Sequence, residues 1–449
     1  MKVTGIAICP PRTAESNPKA TPELLASCFA RYSRSNRGIE TILGSVNWED
    51  PEKSVDAIFK FVDYGHASIG GLTGGIALAI DDCSMWLAYK LFEYAQMADG
   101  QESSTRYIRL DTSSLPTPAE IGIPQSLEKE WSAYMEQAFS VYHALYEELD
   151  QKAMANPELV RVPAGAPEKV ITRLRKNYAL DRARYFIPMA TKTNVGLVMS
   201  ARMWADTIRR IDSLPLVEAK RCADLLRLEL EKFAPRLTRH SFHDEASSAQ
   251  MMQELNWTTA QCAKSGVSPE QAPDQVFISV DQAFPQFFDP LQSIGSAFEG
   301  KKNRYSTVGE RIKRTMVRCT WNNIALAEMR DLNRHRTGFR LSLFNPVGFY
   351  LPNEIDRSRY SELLEKQRSL TARLAESGAG LQFYGFLLGV QTPFEHSTHL
   401  DKFIYEIELR TGLGAHYRYA EHLAVAAHEL IKQMPELKEF VEIGTAEPE

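Results

Sequence analysis

Within DLNRHRTGFRLSLF, residues 331–344, Arg334, His335 and Arg336 stand in a row. Guanidinium groups present forked donors that match phosphate or carboxylate oxygens two at a time. An imidazole between them adds a group that can donate or accept near neutral pH. The cluster suits an anion or an electron-rich ring. Its bland alternative is a cationic helix end, which the macrodipole favours without any ligand. Other stretches carry related chemistry. ESSTRY puts Glu102, Ser104 and Arg106 within five residues. LDRARYFIP contains Arg184, and EIELR ends at Arg410 with His416 following. FEHSTH spaces His396 and His399 three apart, a metal-ligand spacing, but no third ligand accompanies them. They are expected to be solvent-exposed histidines, and no metal is expected.

The elements that position these groups follow from composition and pattern. The chain has 449 residues, 44% hydrophobic and 24% charged, which suits two or three globular domains. Its net charge of −5 excludes a generally cationic nucleic-acid binder. The cysteines are scattered without a CxxC pair and are expected to be reduced thiols. There is no GxGxxG and no Walker loop, so neither a Rossmann nor a P-loop nucleotide site is indicated. No apolar window approaches about 18 residues, and the first apolar run is too short for a signal peptide. A cytoplasmic protein with no membrane or nucleic-acid partner is expected.

The chain resembles itself. TIRRIDSLPLVEAKRCADLLRLELEKFAPRL (207–237) is similar to EIELRTGLGAHYRYAEHLAVAAHELIKQMPEL (406–437), pairing Arg210 with Arg410, Lys232 with Lys432 and Pro235 with Pro435. Upstream, residues 64–96 align with 303–336 at a different offset, so copy one carries about 40 extra residues in its middle. That implies a tandem duplication: copy one at 1–240, a polar linker at 241–275 and copy two at 276–449. GGIALAI (74–80) reads as a buried strand. CSMWLAYKLFEYAQM (83–97) and WNNIALAEMRDLNRHR (321–336) read as matching helices. Further helices are expected at 127–152, 167–182, 216–234, 357–377 and 417–433. Helix dominates and strands are few, giving an α+β class. Trp204, Phe383 and Tyr384 are expected in the core. At the place of Arg334–Arg336, copy one is expected to carry Tyr94, Ala95 and Gln96.

An RHR followed at seven residues by S-x-R-Y is similar to the signature of the flavin-dependent thymidylate synthase (ThyX) family. This chain resembles two ThyX-type domains in tandem, with the signature split between them. YGHAS (64–68) resembles the family's Gly-His-x-Ser/Thr segment, and LDRARYFIP its VARxxLP segment, whose copy-two arginine position falls near Gly385. The resemblance implies a composite site, with Glu102, Ser104, Arg106 and Arg184 from copy one and Arg334 and Arg410 from copy two. Arg106 and Arg184 are then the phosphate candidates, Ser104 an orienting hydroxyl, and Arg410 the group that stabilises charge on uracil. Arg334, His335, Arg336, Thr307, His399 and His416 are implied on the FAD side. The implied reaction is methylene transfer to C5 of a uracil nucleotide, dUMP to dTMP, with FAD, methylenetetrahydrofolate and NADPH. The implied assembly is a homodimer of pseudo-tetrameric symmetry. Asp331 stands where the family has a glutamine, which leaves two alternatives open: C5 modification of another uridine nucleotide, or a repurposed flavin- or nucleotide-binding protein without turnover. Arg210, retained in copy one, has no place in the split site and reads as a remnant or an ion-pair partner.

Overall fold

The computed structural model describes residues 1–9, 22–59, 75–95, 98–106, 108–162, 165–233, 238–281 and 293–444. The fold is α+β, with two small antiparallel sheets among many helices. The first sheet contains β1 (Lys2–Cys9), β2 (Gly75–Ser84), β3 (Asp99–Glu102) and β4 (Lys192–Met199), in the order β1-β2-β4-β3. The second contains β5 (Val276–Asp281), β6 (Met316–Ala325), β7 (Phe339–Leu341), β8 (Gly348–Phe349) and β9 (Val390–His399), in the order β5-β6-β9-β7 with β8 on β9.

The two sheets repeat each other in register as well as in order. Both central pairings shift at a bulge, between Ile80 and Cys83 in β2 and between Trp321 and Ile324 in β6. Each bulge residue is followed by its counterpart after a step of 241. Across the pairing, Cys83 faces Thr193 and Ile324 faces Thr392, so β4 and β9 are related by a step of 199. Bulges pin register and persist when sequence drifts. The steps differ by 42 residues, and the stretch between the paired strands holds the excess. In copy one it contains α5 (Glu128–Ala155) and α6 (Glu168–Ala183); in copy two it contains only one long helix, α11 (Ser361–Ser377).

Compactness does not follow the sequence halves. One unit comprises 1–139, 187–266 and 362–387; the other comprises 140–186, 267–361 and 388–449. Each unit thus takes in a segment from the other repeat: the first includes nearly all of α11, and the second includes α6 and the turn after it.

In the first unit, α1 (Pro22–Tyr32), α2 (Ile39–Gly44) and α3 (Glu52–Phe59) cover a face of the sheet. Phe29, Tyr32, Ile39, Ile42 and Val55 form one buried cluster with Ala77, Ala79 and Val198 of the strands. Small strand residues make room: a Cβ on Gly196 would lie 2.1 Å from the Phe29 ring. After β2, α4 (Met85–Tyr94) begins under the Ser84 cap, whose hydroxyl accepts from Leu87 N–H. β4 leads into α7 (Ala201–Asp212) and α8 (Val217–Phe233). The segment expected as linker holds α9 (Glu245–Ser265), rich in Ala, Gln, Met and Glu, with Cys262 Sγ bonded to Thr371 O of α11. It stops at Gly266, φ +61°, where a Cβ would meet Arg368 backbone at 2.0 Å.

In the second unit, β6 leads into α10 (Leu326–Leu332), and β9 into α12 (Leu400–Arg410) and α13 (Tyr417–Gln433). One expected helix is corrected here. WNNIA belongs to β6: Trp321 pairs with both β5 and β9, and Ile324 and Ala325 pair with β9, so ladder pairing overrides helical pattern as far as Ala325. The helix closes at Asn333, and Arg334–Arg336 lie in the turn beyond it. Strand register also corrects their counterparts in copy one to Glu93, Tyr94 and Ala95; Gln96 lies outside the described residues.

Candidate functional site

The side chains that could do chemistry gather in the second unit around α10 and the turn after it. Arg184, in the turn following α6, is 1% exposed. Its Nη2 donates to Ala327 O and to Asp331 Oδ2, both at 3.1 Å. Burial opposes the Arg184 charge, but the Asp331 and Asp181 carboxylates outweigh it, so the guanidinium stays a cation. The acid at the family's glutamine position is therefore neutralised from within the unit.

Arg410, at the end of α12, donates from Nε to His335 Nε2 at 2.7 Å and from Nη2 to Asp331 O at 3.1 Å. A guanidinium has no lone pair to offer, so His335 Nε2 is the acceptor. His335 is then a neutral imidazole with its proton on Nδ1. Arg334, His335 and Arg336 are half-buried.

Beneath them lies a chain of buried groups that sequence reasoning missed. Glu406, one turn before Arg410, is fully buried. Its Oε2 lies 2.8 Å from His396 Nδ1, and His396 Nε2 lies 2.8 Å from Thr337 O. His396, expected on the surface, is 1% exposed: β9 pairs on both edges and turns this position inward. Its partner in FEHSTH, His399, is exposed. Alternation along a strand was the signal available, since residues 396 and 399 must point to opposite faces.

Glu328 on α10 is also fully buried and accepts from the Tyr185 hydroxyl. Burial raises its carboxyl to about 7, against the lowering effects of Arg184 and the Tyr185 hydrogen bond. Tyr417 Oη donates to Tyr185 Oη at 3.3 Å, and Tyr350 lies 3.4 Å further on. His416 is spent on structure. Its Nδ1 accepts from Arg418 N–H as the cap of α13, and its Nε2 donates to Asp181 O at 3.0 Å. Both ring nitrogens are thus engaged within the unit, although the resemblance implies a place beside flavin. Thr307 is exposed in the loop before residues 310–314.

The first unit holds the Glu102–Arg106 stretch, all five residues buried. Ser104 is anchored by its own N–H to Ser33 O at 2.9 Å, and its hydroxyl accepts from Arg106 N–H at 3.3 Å. Tyr107 and the YGHAS segment lie outside the described residues. At the positions matching the second unit's ion pair, the first unit is aromatic. Trp86 takes the place of Ala327, and Phe383, two residues before Gly385, takes that of Arg184. The two rings stack at 5.2 Å and 17°. Beside them Glu218 accepts from Ser84 N–H, Ser84 Oγ and Tyr384 Oη. The expected core residues Trp204, Phe383 and Tyr384 are all buried. Arg210 lies over the Tyr94 ring at 4.4 Å, repeating the Arg410–His335 contact with a phenol in place of the imidazole.

Residues 17–236 match the family model described as thymidylate synthase complementing protein. The second half of the chain repeats the strand order and bulge of that stretch, as described above. A UPF0159 protein of Chlamydia pneumoniae is 30% identical over 251 residues, covering 48% of this chain and 44% of the relative. A UPF0159 protein of Chlamydia muridarum is 27% identical over 253 residues, covering 51% and 47%. The chain thus spans less than half the length of these curated relatives. No helix among the described residues is long and apolar enough to cross a membrane.

Proposed function

We propose that this protein is a flavin-dependent enzyme of the thymidylate synthase type, carrying a one-carbon unit to C5 of a uracil nucleotide, with dUMP the substrate. The observation that carries the proposal is the contact of Arg410 with a neutral His335, beside a cationic turn and within a chain that carries the family's sequence. The donor set fits FAD: guanidinium groups at Arg334 and Arg336 suit a diphosphate, and the half-buried turn leaves them reachable. When bound, FAD supplies hydride equivalents drawn from NADPH, and methylenetetrahydrofolate supplies the carbon.

The protein's own residues do the rest. Arg410 stabilises negative charge as it develops on the uracil ring, which raises the nucleophilicity of C5. His335, protonated on Nδ1, offers a neutral donor to a carbonyl of the ring. Arg106 and Ser104 take the phosphate-binding and orienting roles. Arg184 is reassigned from phosphate ligand to counter-ion, because its charge is already matched by Asp331. No cysteine nucleophile is needed. The described thiols Cys28, Cys83, Cys222, Cys262 and Cys319 are buried, and burial pushes each of them up, away from thiolate.

The buried Arg184–Asp331 pair favours a second reading, a repurposed protein that binds flavin or nucleotide without turnover. Purified protein decides between them. The first reading expects a yellow protein that forms dTMP from dUMP, methylenetetrahydrofolate and NADPH and rescues a thymidine auxotroph. Flavin without product supports the second, and colourless protein that cannot be loaded with FAD defeats both.

A further inference from the structure

In the first unit one face of the sheet lies under α1–α3, which occupy the connection from β1 to β2, residues 10–74. The matching connection in the second unit, from β5 to β6, is only residues 282–315. Its described residues hold two short helical turns, Ile294–Ala297 and Glu310–Arg314. The face of the second sheet that corresponds to the covered one is open. Three large apolar side chains stand out from it: Phe277 is 60% exposed, Phe339 44% and Met316 37%. Apolar groups concentrated on one surface mark a contact with another molecule.

Strand pairing lays this face out in rows. Phe277, Thr320, Glu395 and Leu341 form one row across β5, β6, β9 and β7. Ser279, Arg318, Ser397 and Phe339 form the next. The centre is polar and balanced. Arg318 Nε lies 3.5 Å from Glu395 Oε1 and donates to Ser397 Oγ at 3.3 Å, and Ser397 Oγ donates to Glu395 Oε1 at 2.9 Å. A nucleic acid or another polyanion needs a surplus of cations, which one arginine matched by one glutamate does not supply. Charges already paired within the face can be covered by a protein without leaving one of them alone.

The layout is complementary to itself. A half-turn about an axis along the strands brings β7 of a second copy over β5 and its β9 over β6. Phe277 then faces Leu341 of the second copy, Thr320 faces its Glu395, and Arg318 faces its Ser397. No charge meets its like, and Arg318 stands one row from the opposite Glu395. The axis also keeps the strands of the two sheets aligned, as stacked sheets are. We propose that the open face of the second sheet is the docking surface for a second copy of this chain, sheet on sheet about that axis. The inference stands apart from the chemistry above and is tested without turnover.

The full-length double variant F277C/L341C is treated with a bis-maleimide whose span matches the spacing of stacked sheets, about 10 Å. The described native thiols are buried, and wild-type protein is the control. A covalent dimer of twice the 50.7 kDa chain mass is expected on a denaturing gel from the double variant, but not from wild type or from either single variant. A link within one chain would leave the mass unchanged. In the second arm, F277D/F339D is expected to weaken the dimer roughly tenfold or more by sedimentation equilibrium. Its thermal unfolding is expected to match wild type, because both positions are exposed. A monomeric wild-type protein overturns the proposal. So does a dimer that ignores the two aspartates, or one that F277C/L341C does not cross-link, the results expected if a different protein or another stretch of this chain covers the face.

Discussion

Arg184→Met asks whether the buried arginine serves a ligand or the fold. The side chains of Arg184 and Asp331 are 1% and 8% exposed and meet at 3.1 Å. The substitution keeps much of the stem and removes the charge. Asp331 then becomes a buried carboxylate that has lost its Arg184 counter-charge. Stripping one partner from a buried pair costs roughly 3–5 kcal/mol. The Ala327 carbonyl also loses a donor, part of the same loss and not an addition to it. For a unit of some 200 residues, a loss of that size lowers the melting temperature by roughly 6–20 °C. The double variant R184M/D331L removes both charges and is expected to recover most of the loss, a coupling of roughly 2 kcal/mol or more between touching residues. Thermal unfolding by circular dichroism measures all three proteins, with dUMP affinity followed by calorimetry on those that fold. A single variant within about 1 kcal/mol of wild type, or a double variant as weak as the sum of the singles, refutes the counter-ion assignment. A stable Arg184→Met that loses dUMP affinity tenfold returns Arg184 to the ligand.

His422 on α13 is held neutral, lowered to about 3 by burial and by the Arg418 charge. The unfolded chain binds a proton there below about pH 6.5 while the folded chain does not, so stability falls with pH through the window from 6.5 to 3, by about 2 kcal/mol at pH 5. His422→Leu should flatten urea midpoints between pH 5 and 7, and an unchanged slope would contradict the assignment. Gly196→Val drives a side chain into Phe29 and should cost about 1–3 kcal/mol, with α1–α3 becoming sensitive to limited proteolysis; Phe29→Ala in the same chain should restore resistance. Sedimentation equilibrium should give twice the 50.7 kDa chain mass, and a monomer that still retains flavin would sink the proposed homodimer.

Periodic, locally determined features were legible in the sequence. The helix expected at 417–433 is Tyr417–Gln433, and 216–234 is Val217–Phe233. Each carries an apolar stripe that needs no distant partner to be seen. The likeness of the two sheets, which share strand order and a bulge, was legible because two stretches kept their offsets. The start of the helix before RHR was not, since the boundary between β6 and α10 is set by pairing with β9, a strand far away in sequence. The one-residue error in matching Arg334–Arg336 to copy one has the same origin: a bulge fixes the register, and composition does not reveal a bulge. Buried charges were the hardest to find. Glu328, Glu406 and His396 belong to residue types that usually face water, and only their partners make burial tolerable. Tyr185 and His335 come from other elements than the acids they face, so no local pattern could have announced them; Arg410, one turn after Glu406 on α12, was the one partner a helical spacing could have suggested.

The repeats diverged at two places, in opposite senses. On one sheet face the first unit has Ala77, Ala79, Gly196 and Val198, small residues under α1–α3. Steps of 241 and 199 take these positions to Arg318, Thr320, Glu395 and Ser397. There Arg318 is exposed, pairs with Glu395 at 3.5 Å and bonds Ser397. At the place of the ion pair the exchange is reversed: the first unit has the Trp86–Phe383 stack, and the second has Ala327 with Arg184. A stacked aromatic pair is worth about 0.5–1.5 kcal/mol beyond its buried area and needs no counter-charge. The ion pair at best breaks even against desolvation. Stability alone would therefore favour the aromatic version in both units. That the second unit keeps buried charge at Arg184, Asp331 and Glu406 fits a unit arranged to hold Arg410 and His335 for a ligand. The first unit accordingly bears the apolar sheet face, with Ala77, Ala79 and Val198 in its buried cluster.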